Sequence, residues 1–133
     1  MSAEPADVVQ ELFAKMPLKG GFIDAIDELF ADDAVFAPGP GFPNQSGKQA
    51  ILALVRSHLD ALKYTNEIEV VNVASNGTKV LTERIDWFLD EAGERIHKME
   101  LMGVFEVVDG KIRYWRDYFD PRQVEDFGAD LSA

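Results

Sequence analysis

One stretch of the chain decides the fold: residues 78–120, TKVLTERIDWFLDEAGERIHKMELMGVFEVVDGKIRYWRDYFD. Val, Ile, Thr and aromatic residues are frequent in it, which is typical of β-strands. Asp109-Gly110 is a strong signal for a tight hairpin turn, and residues 91–93 are a second plausible turn. The stretch therefore predicts three consecutive antiparallel strands, over residues 78–90, 94–108 and 111–120.

Two more strands are predicted upstream of this stretch. One covers residues 66–74, and Asn76-Gly77 is the hairpin signal that joins it to the next strand. The other is short and covers residues 33–38, DAVFAP. It leads into residues 38–47, PGPGFPNQSG, whose Pro and Gly indicate a loop rather than regular structure.

The first half of the chain carries three helical patterns, because apolar residues recur there at helical spacing. Ser2 or Asp7 is expected to cap the first helix. The second helix begins near Gly20-Gly21, and Ser46 is expected to cap the third. The apolar helical positions are Val8, Val9, Leu12 and Phe13; Phe22, Ile23, Ile26, Leu29 and Phe30; and Ile51, Leu52, Leu54, Val55, His58, Leu59 and Leu62.

Length and composition predict one globular α+β domain over residues 1–133, with 47% hydrophobic residues. One curved sheet wrapped around a layer of helices would leave a conical pocket, open at one end. The net charge of −11 argues against binding nucleic acid or anionic membranes, because no basic face is available for phosphate. Without cysteine, the chain has no disulfide, thiolate nucleophile or sulfur-rich metal site.

The N-terminus is acidic and lacks the long apolar run of a secretory signal. No apolar stretch of the sequence approaches the length of a membrane span. We therefore expect a cytoplasmic protein.

Arg84, Asp86 and Asp117 are the candidate catalytic residues. Side chains alternate along a strand, so Arg84 and Asp86 point to the same face, among large apolar residues that look like core. If Asp117 faces them across a cavity, two carboxyl groups share one guanidinium, which can keep one acid protonated for acid–base catalysis. The apolar walls of this pocket are expected to be Phe88, Met99, Leu101, Trp115 and Phe119.

Simpler interpretations compete with a catalytic site. An Arg-x-Asp pair on a strand is usually a solvated ion pair, and a buried Asp-Arg-Asp network can be purely structural. On the opposite face of the Arg84 strand, Glu83, Ile85 and Trp87 do not alternate cleanly, so alternation does not settle which face is buried. On the last strand, alternation groups Lys111 and Arg113 with Trp115. His58 fits a core or rim histidine and His97 a substrate contact, but two lone histidines are too weak a signal to predict a metal site.

Three segments resemble the limonene-1,2-epoxide hydrolase family: RID at 84–86, MGVFEVVDGKI at 102–112 and WRDYFD at 115–120. This family lies within the larger group of cone-shaped, nuclear transport factor 2-like and SnoaL-like domains, which includes the ketosteroid isomerases. The resemblance implies a curved sheet of six strands, mixed but mostly antiparallel, that wraps around the three N-terminal helices and forms a deep pocket. It also implies a homodimer that needs no metal or cofactor.

The resemblance further implies the role of each candidate residue. Asp117 would be the general base that takes a proton from water, and Asp86 the general acid that protonates the epoxide oxygen. Arg84 would lie between the two acids and hold both in position. A small apolar epoxide would then react with water in one step and give a vicinal diol, without a covalent intermediate.

One departure from the family concerns the attacking water. The family positions this water with a Tyr and an Asn two residues apart, just after the short strand. Phe36 and Pro38 stand at these positions here. We expect Phe36 to line the substrate site, and Asn44 or Gln45 to supply a replacement hydrogen bond.

Three functions remain open from the sequence. The first is the epoxide hydrolase. The second is an isomerase that uses Asp117 or Asp86 to move a proton next to a carbonyl; it would need a phenol or protonated acid as oxyanion donor, and Tyr114 and Tyr118 fall on the opposite face of their strand from Asp117. The third is a non-catalytic domain for small-molecule binding or dimerisation, which the missing Tyr and Asn favour.

Overall fold

The structure, a computed structural model, describes residues 4–125. Its elements follow the predicted order, with one additional strand of two residues and a single helical turn over residues 122–125. No helix in the described residues is long and apolar enough to cross a membrane. The elements are α1 (Pro5–Lys15), α2 (Gly21–Leu29), β1 (Phe30–Ala37), β2 (Gln45–Ser46), α3 (Lys48–Leu62), β3 (Thr65–Asn76), β4 (Lys79–Leu89), β5 (Arg95–Val108) and β6 (Lys111–Tyr118).

Two helices begin differently from the sequence prediction. α1 begins at Pro5, which suits a first helical turn because its missing N–H has no helical acceptor there, and Asp7 lies inside this turn. α3 follows Gly47, whose φ of 96° favours glycine. Ser46 instead belongs to β2, where its backbone pairs with β1. The caps predicted at Asp7 and Ser46 are therefore wrong, and Ser2 lies outside the described residues.

The strands form a single six-stranded sheet in the order β2-β1-β6-β5-β4-β3. Strands β3 to β6 are consecutive antiparallel neighbours, as the sequence predicts. Gly77 and Gly110 make the tight turns between them possible, with left-handed φ values of 62° and 76°. β1 pairs in parallel with β6 and antiparallel with β2. The predicted fold class, an α+β domain with a mixed and mostly antiparallel sheet, is confirmed.

The helices pack on one face of the sheet and bury an apolar core between the two layers. Phe13 of α1 meets Phe105 of β5 edge-on at 5.7 Å between ring centroids, and Phe105 stacks on Trp115 of β6 at 5.0 Å. Burying each such side chain contributes about 1.5–3 kcal/mol relative to leaving it exposed. Phe30, predicted as the last apolar residue of the second helix, instead has an extended backbone, opens β1 and is buried in this core.

A register shift in β6 changes which of its side chains face the helices. The pairing with β5 shifts between Ile112 and Tyr114, so Arg113 is an extra residue relative to β5. Alternation reverses at this bulge: Ile112 is buried, whereas Lys111 and Arg113 are exposed. The predicted grouping of Lys111 and Arg113 with Trp115 on one face is wrong for this reason.

Candidate active site

A cavity of about 300 Å³ lies between the helices and the sheet, and its walls are mainly apolar. A mostly apolar pocket with a few converging polar groups is the usual design of a small-molecule site. The ionisable and amide side chains that line it are His58, Tyr64, Asn66, Asp86 and Asp117.

Arg84 joins the two predicted acids beside this cavity. Its guanidinium is buried, with 1% of the residue exposed. Nε donates to Asp86 Oδ1 at 2.9 Å, and Nη2 donates to Asp117 Oδ2 at 2.8 Å and to Asp86 Oδ2 at 3.4 Å. Nη1 donates to Thr82 Oγ1 at 3.2 Å. Because one planar cation bonds both carboxyl groups, it fixes their positions relative to each other.

Asp117 is held by a side chain of its own strand, β6, and the space for it is left by a glycine of the neighbouring strand, β5. Trp115, two residues earlier on the same face, donates its indole N–H to Asp117 Oδ1 at 2.8 Å. Gly103 of β5 lies opposite Asp117 in the strand register. A Cβ at Gly103 would lie 2.4 Å from Arg84 Nη1 and 2.5 Å from Asp117 Oδ1. Arg84 can therefore reach Asp117 across β5 only because residue 103 has no side chain.

Burial and the neighbouring charges set the protonation of this array. Burial raises the pKa of Asp86 above its usual range; Arg84 opposes the rise, and the Asp117 carboxylate adds to it. Burial lowers the pKa of Arg84, but Asp117 and Asp86 raise it more, so Arg84 stays a cation. The array therefore pairs a carboxyl group of raised pKa, that of Asp86, with a charged Arg84.

Comparison with known proteins identifies the family. The family model of the limonene-1,2-epoxide hydrolase catalytic domain matches residues 3–126. The chain belongs to this family. Epoxide hydrolase EphG of Mycobacterium tuberculosis (strain ATCC 25618 / H37Rv) is 34% identical over 97 residues, which cover 73% of the chain but only 62% of EphG. The solved structure of a limonene-epoxide-hydrolase-like enzyme from M. tuberculosis has a TM-score of 0.75 and 29% identity, covering 98% of this chain and 86% of that one.

More distant structures share the fold alone. A nuclear transport factor 2-like protein of unknown function from Cytophaga hutchinsonii ATCC 33406 has a TM-score of 0.70 at 17% identity, covering 94% of this chain and 97% of that one. TerC, crystallised with polyporic acid, has a TM-score of 0.76 at 13% identity, covering 98% of this chain and 100% of TerC. The cone of the epoxide hydrolase family is thus also the scaffold of proteins with very different sequences.

All six predicted apolar site residues lie in the wall of the cavity. Among them, Phe36 packs against Trp115 with ring centroids 4.5 Å apart. Pro38, at the position where the family has its Asn, lines the cavity as well. The six residues are Phe36, Phe88, Met99, Leu101, Trp115 and Phe119.

Asn44 does not reach the cavity. Gln45 pairs with Phe36 in the antiparallel ladder between β2 and β1, so the chain returns along the edge of the sheet. Asn44, just before this ladder, is exposed to solvent, and the Gln45 amide donates to the Pro43 carbonyl at 3.4 Å. The expectation that Asn44 lines the substrate site is therefore wrong, and Gln45 is not part of the wall either.

The two histidines occupy different places. His58 of α3 is exposed and lines the cavity, as expected of a rim residue. His97 does not line the cavity: its Nε2 is 2.9 Å from the Gln123 carbonyl oxygen, and its ring meets Phe88 edge-on at 5.7 Å. Within residues 4–125, no group of three or more His, Asp or Glu side chains is arranged to hold a metal ion.

Sequence reasoning missed Tyr64 and Asn66 as lining residues, and it missed the role of Gly103. Asn66 sits at the start of a predicted strand, and its alternation with Ile68 is a signal that could have placed it on the inner face. A single glycine in the interior of a long strand often marks a close approach by other groups, which Gly103 illustrates. Tyr64 lies at a helix–strand junction, where neither periodicity applies.

Proposed function

We propose that the protein is a cofactor-independent epoxide hydrolase that adds water to a small apolar epoxide and gives a vicinal diol. The observation that carries this proposal is the Asp86–Arg84–Asp117 array, in which one buried guanidinium bonds two carboxyl groups in the wall of an apolar cavity. Water is a weak nucleophile and an alkoxide a poor leaving group, so the reaction needs a base at one end and an acid at the other. The array offers one carboxyl group for each task.

In the proposed step, Asp117 accepts a proton from water while the water oxygen forms a bond to one epoxide carbon. The ring C–O bond at this carbon breaks, and Asp86 gives its proton to the departing oxygen. The diol forms without a covalent intermediate, and it leaves Asp117 protonated and Asp86 ionised. Transfer of one proton from Asp117 to Asp86 through solvent restores the resting state.

The contacts support this division of roles. As a carboxylate, Asp117 accepts from two donors, Arg84 and Trp115, at 2.8 Å each, so its position is well defined. Asp86 faces the cavity with a raised pKa, which keeps a proton available for donation. Arg84 lies behind both acids and acts as a positioning residue.

The attacking water has fewer side-chain partners than the family pattern provides. Phe36 and Pro38 line the cavity but have no side-chain group that can hydrogen-bond to water. We therefore assign the binding of this water mainly to Asp117, and we expect a turnover number lower than that of a family member with the Tyr and Asn.

We also propose a homodimer formed through the outer face of the sheet. Leu81, Met102 and Tyr118 lie on this face, 45%, 54% and 51% exposed, on three adjacent strands. Met102 pairs directly with Tyr118 in the register, so their side chains are neighbours on this face. Such a patch favours contact with a second copy of the same face, and the resemblance to the family supports that partner.

A second candidate function is an isomerase on the same cone. Tyr114 and Tyr118 do not line the cavity, but Tyr64 does, and this phenol favours an oxyanion site. In that reaction Asp117 would move a proton next to a carbonyl, while Tyr64 and a protonated Asp86 would bind the carbonyl oxygen.

The experiment that separates these functions is turnover of small apolar epoxides, including cyclohexene oxide, in ¹⁸O-water. With enzyme in excess, we expect the label in the diol on the first turnover, because water attacks directly. Asp117→Asn should lower kcat by about 10²–10⁴-fold, the usual effect of removing a general base. Asp120→Asn, which changes an exposed carboxylate bonded to Arg122, is the matched control and should leave kcat unchanged.

Circular dichroism and urea unfolding of both variants establish that the fold is intact. Proton exchange into a cyclic enone without diol formation would favour the isomerase. Absence of a diol from the whole epoxide panel would refute the hydrolase.

A further inference from the structure

Tyr64 stands at the junction of α3 and β3 and lines the cavity. Lys63 ends α3 with a left-handed φ of 51°, which turns the chain before Thr65 begins β3. The Tyr64 ring packs against Phe88, with centroids 4.9 Å apart and planes 57° apart. The phenol is therefore held by a tight chain turn and by an aromatic neighbour.

The strand order places Tyr64 on the Asp86 side of the cavity. β3 is the neighbour of β4, and Ile68 of β3 pairs with Asp86 in the register. Asp117 lies on β6, and β5 separates β6 from β4. Tyr64 therefore approaches the cavity from the side of the acid, opposite the base.

Asn66 fixes this edge of the cavity. It is 9% exposed, and its Nδ2 donates to the Trp87 carbonyl oxygen at 3.5 Å. The side-chain contact adds to the backbone pairing of β3 with β4 two residues after Tyr64.

The pKa of the Tyr64 phenol depends on burial and on the charge of Asp86. Burial raises the pKa of Tyr64 to about 12, and Asp86 adds to the rise when it is ionised. Tyr64 therefore keeps its proton at neutral pH. A neutral phenol can donate a hydrogen bond without transferring its proton.

We propose that the Tyr64 hydroxyl donates a hydrogen bond to the oxygen that leaves the opening epoxide ring, as a second donor beside Asp86. This inference rests on the proposed hydrolase function. Negative charge develops on this oxygen as the ring C–O bond breaks, and a donor already in place stabilises such charge strongly in a site that excludes water. Asp86 supplies the proton, and Tyr64 keeps its own, so no further proton or bond change is needed.

Tyr64→Phe tests the hydroxyl alone, because the ring and its contact with Phe88 remain. For cyclohexene oxide we expect kcat to fall roughly 10- to 100-fold with little change in KM, because one of two donors to the developing charge is lost. Tyr114→Phe is the matched control: Tyr114 is half-buried on β6 and does not line the cavity, so kcat should not change. An effect on urea unfolding or on KM, with kcat unchanged, would indicate a structural role and overturn the inference.

A binding measurement gives an answer that does not depend on turnover. Protein that carries Asp86→Asn and ¹³C-labelled tyrosine is titrated with cyclohexene oxide, and the Tyr64 Cζ resonance is assigned by its loss in Tyr64→Phe. We expect this resonance to shift on saturation while that of Tyr114 stays in place.

The outcomes separate the two proposals. Diol formation by the unmodified protein with an unchanged kcat in Tyr64→Phe overturns the role of Tyr64 and leaves the hydrolase standing. A Tyr64 shift in a protein that makes no diol shows that epoxide binds next to Tyr64, but it refutes the hydrolase and with it the role of Tyr64 in ring opening. No shift of Tyr64 at saturating epoxide overturns the role of Tyr64 in either case.

Discussion

Replacing Gly103 with alanine adds one methyl group between the cation and the base of the proposed mechanism. The new Cβ would lie 2.4 Å from Arg84 Nη1 and 2.5 Å from Asp117 Oδ1. Ordinary van der Waals contacts lie at about 3.5–4.0 Å, so each group must move by roughly 1 Å. The φ of Gly103 is outside the left-handed region, so alanine brings no backbone strain of its own. The effect is therefore steric and confined to the site.

The magnitude follows from what this movement disrupts. Overpacking a buried position costs about 1–3 kcal/mol. Movement of Arg84 or Asp117 also weakens the 2.8 Å hydrogen bond between them, and breaking a buried ion pair costs roughly 3–5 kcal/mol. We expect the free energy of unfolding to fall by about 2–4 kcal/mol, since the pair is displaced rather than deleted. A shift of about 1 Å in the catalytic geometry should lower kcat about 10²-fold.

Urea unfolding followed by tryptophan fluorescence measures the stability, and diol formation from cyclohexene oxide measures kcat. Gly93→Ala is the control, because Gly93 lies in an exposed turn with φ of 83° and no atom within 4 Å of an added Cβ. It should lower the free energy of unfolding by only about 1–2 kcal/mol, the cost of a left-handed alanine, and should leave kcat unchanged. If Gly103→Ala matches the unmodified protein in both measurements, the packing argument fails.

Two further predictions concern the acid and the outer face of the sheet. The pKa of Asp86 is raised in the folded state, so kcat/KM should fall as pH rises through this raised pKa, and Asp86→Asn should remove activity together with this dependence. The raised pKa of Asp86 also stabilises the fold below the ordinary pKa of an aspartate, and this stabilisation is lost as pH rises through the folded pKa. The free energy of unfolding of Asp86→Asn, measured in urea at a series of pH values, should therefore lack this loss. Met102→Glu places a charge among the exposed apolar residues of the outer face and should shift the mass measured by light scattering from dimer to monomer. Glu100→Gln, exposed on the same strand, should leave this mass unchanged. A monomeric unmodified protein would refute the dimer.

Much of the fold could be predicted because its signals are local. Hairpin turns at Gly77 and Gly110 and the strand patterns between them determine four antiparallel neighbours in sequence order. The bulge at Arg113 could not be predicted, because an extra residue in a ladder is defined only against the partner strand. The place of Asn44 was missed for the same reason, since pairing of β2 with β1 turns that segment toward solvent. The single-domain boundary at residues 1–133 and a cytoplasmic location stay predictions.

The sequence by itself determined that Arg84 and Asp86 share a face, because alternation along one strand is a property of the backbone. Only the tertiary structure decided that Asp117, 33 residues beyond Arg84, meets the same guanidinium. This contact requires β5 to lie between the two strands with glycine at the crossing point. The tertiary structure also decided that Tyr64 lines the same cavity as Asp86. The pairing of β3 with β4 brings these residues together, and no helical or strand periodicity in the sequence relates them.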